Sequence, residues 1–309
     1  MKYGSVEIVP FADEHVEGAA ALLAERHAAD RAQEPLLPER RDFAAEIAKE
    51  REDATGAVAF EDGAVVGYLL GRRRDNFMGI HVWSGVAGHA AREPELVRDL
   101  YAAAAHRWVE DGATRHFVFV PFHATALIDA WFRLCFGASA ALAIRETTPE
   151  EPVDGEVEIR RGTRDDFPET ARLDLEMSRS MQPSPSFSGL ELQPYEEVLA
   201  EWREDDDEDW ELFVAERRGR IVGHFLLGRR APDLRVPDDS IDLAQASTEP
   251  EARGTGVGRA LTAHVIRWAH ESGYPTMTTD WRMTNLWASR FWPKRGFRPV
   301  YLRLYRSVP

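Results

Sequence analysis

The chain carries a weak internal repeat, and that repeat limits its fold more than any other sequence feature. Val6-Glu7-Ile8 recurs as Val157-Glu158-Ile159, and Val58-Ala-Phe-Glu-Asp-Gly63-Ala-Val-Val-Gly-Tyr68 aligns with Val214-Ala-Glu-Arg-Arg-Gly219-Arg-Ile-Val-Gly-His224. Position 6 maps to 157 and 58 to 214, offsets of 151 and 156, so the order is kept and the second copy holds a small insertion. Each later segment reads as two strands around a tight turn centred on its glycine. Two matches in one order at nearly one spacing favour duplication over chance likeness of two hairpins. With 309 residues the chain is long enough for two cores of ordinary size. The boundary is expected between Arg145 and Gly155, where two prolines, a glycine and a run of acids interrupt helix and strand patterns alike.

Each half predicts the same series of elements. A strand (6–10; 157–161) leads to two helices (13–29 and 40–52; 165–181 and 194–204) and a hairpin (56–61 and 64–72; 211–217 and 220–229). Then come a strand (79–87; 240–247), a long helix (93–110; 256–272), a strand (114–121; 275–281), a short helix (124–134; 285–294) and a last strand (138–145; 297–306). Strands alternating with helices late in each half imply parallel pairing there, and the hairpins are antiparallel.

Composition narrows the function. There are 53 acidic and 38 basic residues, a formal charge of −15, which disfavours nucleic acid as a partner. The single cysteine, Cys135, excludes an intrachain disulfide and a Cys-rich zinc site, and it sits in an apolar run that predicts a buried, inert thiol. His81, His89, His106, His116 and His123 show no tight ligand spacing, so no metal is expected. No apolar run approaches the ~20 residues that span a bilayer, and the start lacks the apolar core of a signal peptide. An acidic, soluble, cytoplasmic protein, monomer or homodimer, with no membrane partner, is the expectation.

The sharpest chemical signal is Arg253-Gly254-Thr255-Gly256-Val257-Gly258-Arg259, between a strand-like segment and a helix-spaced run. Repeated glycines let the backbone turn with its N–H groups pointing one way, and the helix start adds unpaired donors and partial positive charge. Arg253 and Arg259 flank that nest. A Walker loop would need Lys-Ser/Thr after the last glycine, and a dinucleotide fingerprint would need its third glycine one residue later. A glycine-rich turn without ligand is the plainer alternative.

The Arg-x-x-Gly-x-Gly arrangement resembles the cofactor loop of the GNAT superfamily of acetyl-CoA-dependent N-acetyltransferases. A second matching element follows at Asn285-Leu-Trp-Ala288-Ser-Arg-Phe291-Trp292-Pro-Lys-Arg-Gly296-Phe297. The resemblance implies an α/β (α+β) chain of two tandem GNAT-like domains, 1–148 and 156–309. Each would be a mixed, mostly antiparallel sheet, splayed between its fourth and fifth strands and flanked by helices. It implies that the amides from Arg253 to Gly258 bind the pyrophosphate of acetyl-CoA, the acyl-donor substrate. Ser247, Thr248, Asn285, Ser289 and Trp292 would line the rest of its path. A primary amine of a small molecule would attack directly, within a ternary complex. Asp242 is the candidate base, with Gln245, Glu216 and Asp280 as others by location. Trp292 stands where many relatives have a tyrosine that protonates the departing thiolate. Indole does not titrate, so Trp292 would donate a hydrogen bond or wall the site, and Tyr301 or Tyr305 would take the acid role or thiolate would leave unassisted. A non-catalytic acyl-CoA-binding or regulatory module is the alternative.

The first half lacks the loop. Its matching stretch, Val86 to Val97, has one glycine, and Glu93 and Glu95 would repel a pyrophosphate. Cys135 takes the place of the Gly-Phe glycine, so this copy reads as degenerate. In the second half, the acidic run from Arg203 to Trp210 is either a solvated loop or a rim that attracts a cationic acceptor. Met181, Phe187 and Leu190, between two helices, are expected near the acceptor pocket.

Overall fold

The computed structural model describes residues 2–3, 6–76, 78–149, 157–204 and 210–308. It divides into two compact units, one of residues 1–142, 232–237 and 299–309, the other of 143–231 and 238–298.

The first unit holds strands β1 (Lys2–Tyr3), β2 (Val6–Pro10), β3 (Ala54–Glu61), β4 (Ala64–Asn76), β5 (Gly79–Ser84), β6 (His89–Ala91) and β7 (Arg115–Pro121). Its helices are α1 (Val16–Gln33), α2 (Phe43–Arg51), α3 (Leu96–Glu110) and α4 (Thr125–Phe132). Strand β8 (Gly137–Glu146) begins in this unit and ends in the second. The second unit holds β9 (Glu158–Arg161), α5 (Phe167–Ser180), α6 (Tyr195–Glu204), β10 (Trp210–Arg217), β11 (Arg220–Gly228), β12 (Ser240–Thr248), α7 (Val257–Glu271), β13 (Thr276–Arg282) and α8 (Leu286–Phe291). The final strand, β14 (Arg298–Ser307), leaves it after its first residue.

The duplicated hairpins have one geometry. Asp62 and Gly63 have φ of +50° and +80°, Arg218 and Gly219 of +53° and +74°. Two successive positive φ angles make the tight turn whose twist suits paired strands.

The linear boundary and the compact units differ at the last strand. Residues 301–307 of β14 pair antiparallel with β7, Tyr301 opposite Pro121 and Ser307 opposite Arg115, so the final strand of the second repeat completes the sheet of the first unit. The end of β8 goes the other way. Arg145 lies over the Phe297 ring, its guanidinium 5.7 Å from the centroid, and the Thr147 amide donates to Pro275 O at 3.1 Å. Alternating apolar residues specify which face of a strand is buried and leave its neighbour open, which is why the domain ends 148 and 309 do not match these units.

In the first unit the strands run β1-β2-β3-β4-β5-β7-β14, with β6 paired to β4. In the second they run β13-β12-β11-β10-β9, all antiparallel except β12 with β13. On one face of this sheet, Phe167, Ala171, Leu173, Val198 and Leu199 of α5 and α6 pack on Leu212, Val214 and Ile221. Helix α7 buries Val257, Leu261, Val265, Ile266 and Ala269, spaced by three and four residues on one stripe.

The parallel ladder of β12 and β13 starts at Ser240 with Thr276 and stops at Leu243 with Thr279, although β12 continues to Thr248. On the opposite edge of β12, Leu226 pairs with Gln245 and Leu227 with Leu243, leaving Ala244 as an extra residue. Such a bulge bends its strand. The two strands therefore part where Ala244 is inserted, and the end of β12 leads to the glycine loop.

Candidate active site

A 3-10 turn, Pro250–Ala252, carries the chain from β12 into the loop. Glu249 anchors its base: the amide donates to Val222 O at 2.9 Å, and the carboxylate meets Arg172 at 3.3 Å and Arg220 at 3.2 Å. Gly254 and Gly256 have φ of +76° and +96°, a left-handed region costly to residues with a Cβ, and Gly256 caps α7. A Cβ at either would meet nothing within 4 Å, so their faces are open. Gly258 has an ordinary φ, and a Cβ there would come 3.4 Å from the Phe291 ring.

The donor set differs slightly from the expected span. The amides of Arg253 and Thr255 donate back to Pro250 O at 3.2 Å and Ala252 O at 3.4 Å. Among the described residues, those of Gly254 and Gly256 meet no backbone acceptor, and those of Val257, Gly258 and Arg259 belong to the first turn of α7, which has no internal acceptors. Five donors thus gather where the helix dipole is positive, an arrangement that fits a pyrophosphate. Arg253 lines the adjoining cavity, its Nε donating to Thr248 O at 3.2 Å. Arg217 adds a charge the sequence reading did not assign. It donates to Thr255 Oγ1 at 2.8 Å, brought there by the β10–β11 turn.

A cavity of about 190 Å³ continues from the loop between the end of β12 and α8. Ala246, Ser247 and Thr248 form one side, and Asn285, Ala288 and Trp292 another. Asn285 caps α8, its Oδ1 accepting from the Ala288 amide at 3.2 Å. Two expected hydroxyls are already engaged. Ser247 Oγ donates to Leu173 O at 3.0 Å, and Ser289 Oγ to Asn285 O at 2.7 Å. Val257 is core, contributing its amide alone. Trp292 is buried against Phe225, Phe291 and Phe297, ring centroids 5.9, 4.8 and 5.4 Å away.

The remaining candidates lie elsewhere. Asp242 is buried, Oδ1 accepting from Thr278 Oγ1 at 2.6 Å and Oδ2 lying 2.8 Å from Arg230 Nε. Burial raises its carboxyl from the ordinary range, against the pull of Arg230. Arg230 also meets Asp280 of β13 at 3.2 Å, so the two carboxylates share one guanidinium. Tyr301 belongs to the first unit, fully buried, donating to Asp30 Oδ2 at 2.9 Å. Burial and Asp30 hold its phenol well above the ordinary value. Phe187 is 73% exposed, while Met177 and Ser180, at the end of α5, line the cavity. Residues 205–209 of the acidic run lie outside the described residues.

In the first unit the corresponding place is filled by side chains. His89 of β6 is buried and its Nε2 bonds Phe119 O of β7 at 2.8 Å, while the Arg26 guanidinium donates to the carbonyls of His89 and Val86. Side chains occupy the gap between those strands. Cys135 has φ of +63° beside buried Phe136, as Gly296 has +79° beside buried Phe297, so it does stand in the glycine's place. Its thiol is exposed, not buried as the apolar run suggested, because a left-handed residue turns its side chain off the helix end. Among the described residues no group of three or more His, Cys, Asp or Glu could hold a metal, and no helix is long and apolar enough to cross a membrane.

Comparison with known proteins agrees with this geometry. Residues 176–297 match the model of the acetyltransferase (GNAT) family, and this segment is a GNAT-family domain. The chain as a whole is similar in fold to a GCN5-related N-acetyltransferase from Sphaerobacter thermophilus, with 16% identity and a TM-score of 0.63, covering 99% of this chain and 97% of that one. It is also similar to a tandem GNAT protein from the clavulanic acid biosynthesis pathway, with 14% identity and a TM-score of 0.54, covering 98% of each chain. A third likeness is to a glucosamine N-acetyltransferase region of a fungal multi-domain GH3 β-N-acetylglucosaminidase, at 14% identity and TM-score 0.58, covering 99% of this chain and 38% of that one. No curated protein sequence gives a significant match. The fold is the GNAT fold present twice, and the family is one of acyl transfer from acyl-CoA.

Proposed function

We propose that the second unit binds acetyl-CoA and transfers its acetyl group to a primary amine of a small molecule. The observation that carries this reading is the set of five amides without internal acceptors, from Gly254, Gly256, Val257, Gly258 and Arg259, beside a cavity that Gly254 and Gly258 line together with Ala246, Ser247 and Thr248 of β12. Those amides would hold the pyrophosphate, with Arg253 and Arg217 supplying full charges. The thioester arm would follow Thr248, Ser247 and Ala246, which lie beyond the last pair of the β12–β13 ladder and remain paired with β11, and a backbone amide on the edge that β13 has left would polarise its carbonyl. The neutral amine nitrogen attacks the thioester carbon, the C–N bond forms, the nitrogen gives up one proton to solvent, the C–S bond breaks and CoA leaves as thiolate. Trp292 walls the path, and the thiolate takes its proton from solvent.

Calorimetry with CoA tests the binding half, and thiol release from acetyl-CoA across an amine library tests the transfer half. A second reading, acyl-CoA binding without turnover, draws on Trp292, which cannot supply a proton, and on the Asp242–Arg230 pair. Tight CoA binding with no thiol release for any amine favours it.

A further inference from the structure

A second, larger cavity of about 580 Å³ lies between α5, α6 and the face of the sheet they cover. It reaches Ala244 and Gln245 of β12, where that strand bulges away from its parallel neighbour. We infer that this cavity is the acceptor pocket and that it takes a cationic amine carried on a flat, apolar body. This inference rests on the proposed acetyl transfer and gives its acceptor a chemical class.

The argument is one of unmet acceptors. Asp174 lines the cavity and is 8% exposed. Its Oδ2 accepts from Trp202 Nε1 at 2.7 Å. Its Oδ1 lies 3.2 Å from His224 Nε2, but no hydrogen bond is made at that oxygen. Gln245 Oε1, buried beside the bulge, has no partner either. Buried acceptors left this way are costly unless a donor arrives, and an ammonium group brings three. The cavity's arginines do not supply it. Arg161 is bound to Glu211, and Arg164 has an interaction of its own. Glu201 adds a further carboxylate, already accepting from Gln193 Nε2 at 2.6 Å. Phe167, Trp202 and Trp210 give the walls their aromatic surface, suited to a ring or a cation. An anionic acceptor would set its charge against Asp174 and Glu201 and leave both unmet oxygens without a donor.

The test uses the full chain without CoA and two probes of one shape, phenethylamine and phenylacetate. Equilibrium titration is expected to show phenethylamine binding and no phenylacetate binding. Asp174→Asn should weaken the amine by about tenfold or more, the loss of a charged hydrogen bond. Gln245→Leu, which leaves no buried charge unpaired, should weaken it severalfold and serves if the Asp174 variant does not fold. CoA affinity is measured on the same samples and should be unchanged. Equal binding of both probes, no binding of the amine, or an amine affinity indifferent to both substitutions overturns the inference. Loss of CoA binding by the unaltered protein would instead sink the transferase reading, so the two failures are told apart.

Discussion

Trp292 meets Phe297 edge to face, ring centroids 5.4 Å apart and planes at 83°. In the first unit Trp131 meets Phe136 in the same way, at 4.9 Å and 73°. The shared contact ties the indole to the turn after the short helix in both copies. Trp292→Phe is accordingly expected to change turnover by less than about threefold, whereas Trp292→Ala should destabilise the second unit by about 3–5 kcal/mol. Thiol-release kinetics and denaturant unfolding check the pair. A large fall in turnover for the Phe variant would assign the indole N–H a hydrogen bond in the reaction.

Gly256 tests the loop. A β-branched residue cannot hold φ of +96° without strain, so Gly256→Val should reorient the amides of the α7 terminus. CoA binding should weaken at least about tenfold, the cost of one or two charged hydrogen bonds. The first unit's circular dichroism and unfolding should be untouched. Unaltered affinity by calorimetry would refute the loop assignment.

His89 predicts an acid-side loss of stability. Burial, with the Arg26 charge adding to it, pushes its imidazole down to about 3, against an ordinary value of 6.5. The unfolded chain therefore takes up a proton near pH 6.5 that the folded chain refuses until about pH 3. Stability from this group is complete above pH 6.5 and declines as pH falls between those values, by at most about 1.4 kcal/mol per pH unit. His89→Gln should flatten that part of the pH profile of urea unfolding. An unchanged slope would mean that other buried histidines, His27 and His116 among them, carry it.

Asp166 predicts acid sensitivity in the other unit. It accepts from both Arg160 terminal nitrogens at 2.8 and 2.9 Å and from the Thr163 amide at 2.8 Å, which hold its carboxyl below the ordinary range. Stability from a lowered carboxyl is present above its unfolded value and is lost as pH falls through the folded one. Asp166→Asn should cost about 1–3 kcal/mol at pH 7, and the gap from wild type should begin to narrow as pH falls below about 4. A gap of constant size down to the acid end of the titration would show that the loss is one of packing.

Removing residues 299–309 should cost the first unit its cooperative unfolding, since β14 is one of its strands and Tyr301 satisfies buried Asp30. Hydrogen exchange of β7 reads the outcome. Full protection of that strand in the truncated chain would contradict the pairing.

Most of the element order was legible because each element carries its own periodicity: α7 its stripe from Val257 to Ala269, each hairpin its glycine turn. The loop was legible as well, since Gly254 and Gly256 sit where φ is positive. Partners were not. Nothing in the alternation of β14 says whether it joins β13 or β7, so the sequence alone assigns Tyr301 to the second repeat, whereas it pairs within the first unit. Pairing also hid the state of Asp242, whose neutralising Arg230 comes from the end of the preceding hairpin. The Asp174–His224–Gln245 cluster drew its members from a helix and two strands, and its only signal was a histidine in an otherwise apolar strand face.

The placing of the last strand has a consequence for biosynthesis. A ribosome extends the chain from its N-terminus, and domains commonly fold in that order as they emerge. Here the leading unit cannot close its sheet until Tyr301 and its neighbours have been polymerised, so everything from β9 to α8 is made while the first unit still presents an open edge at β7.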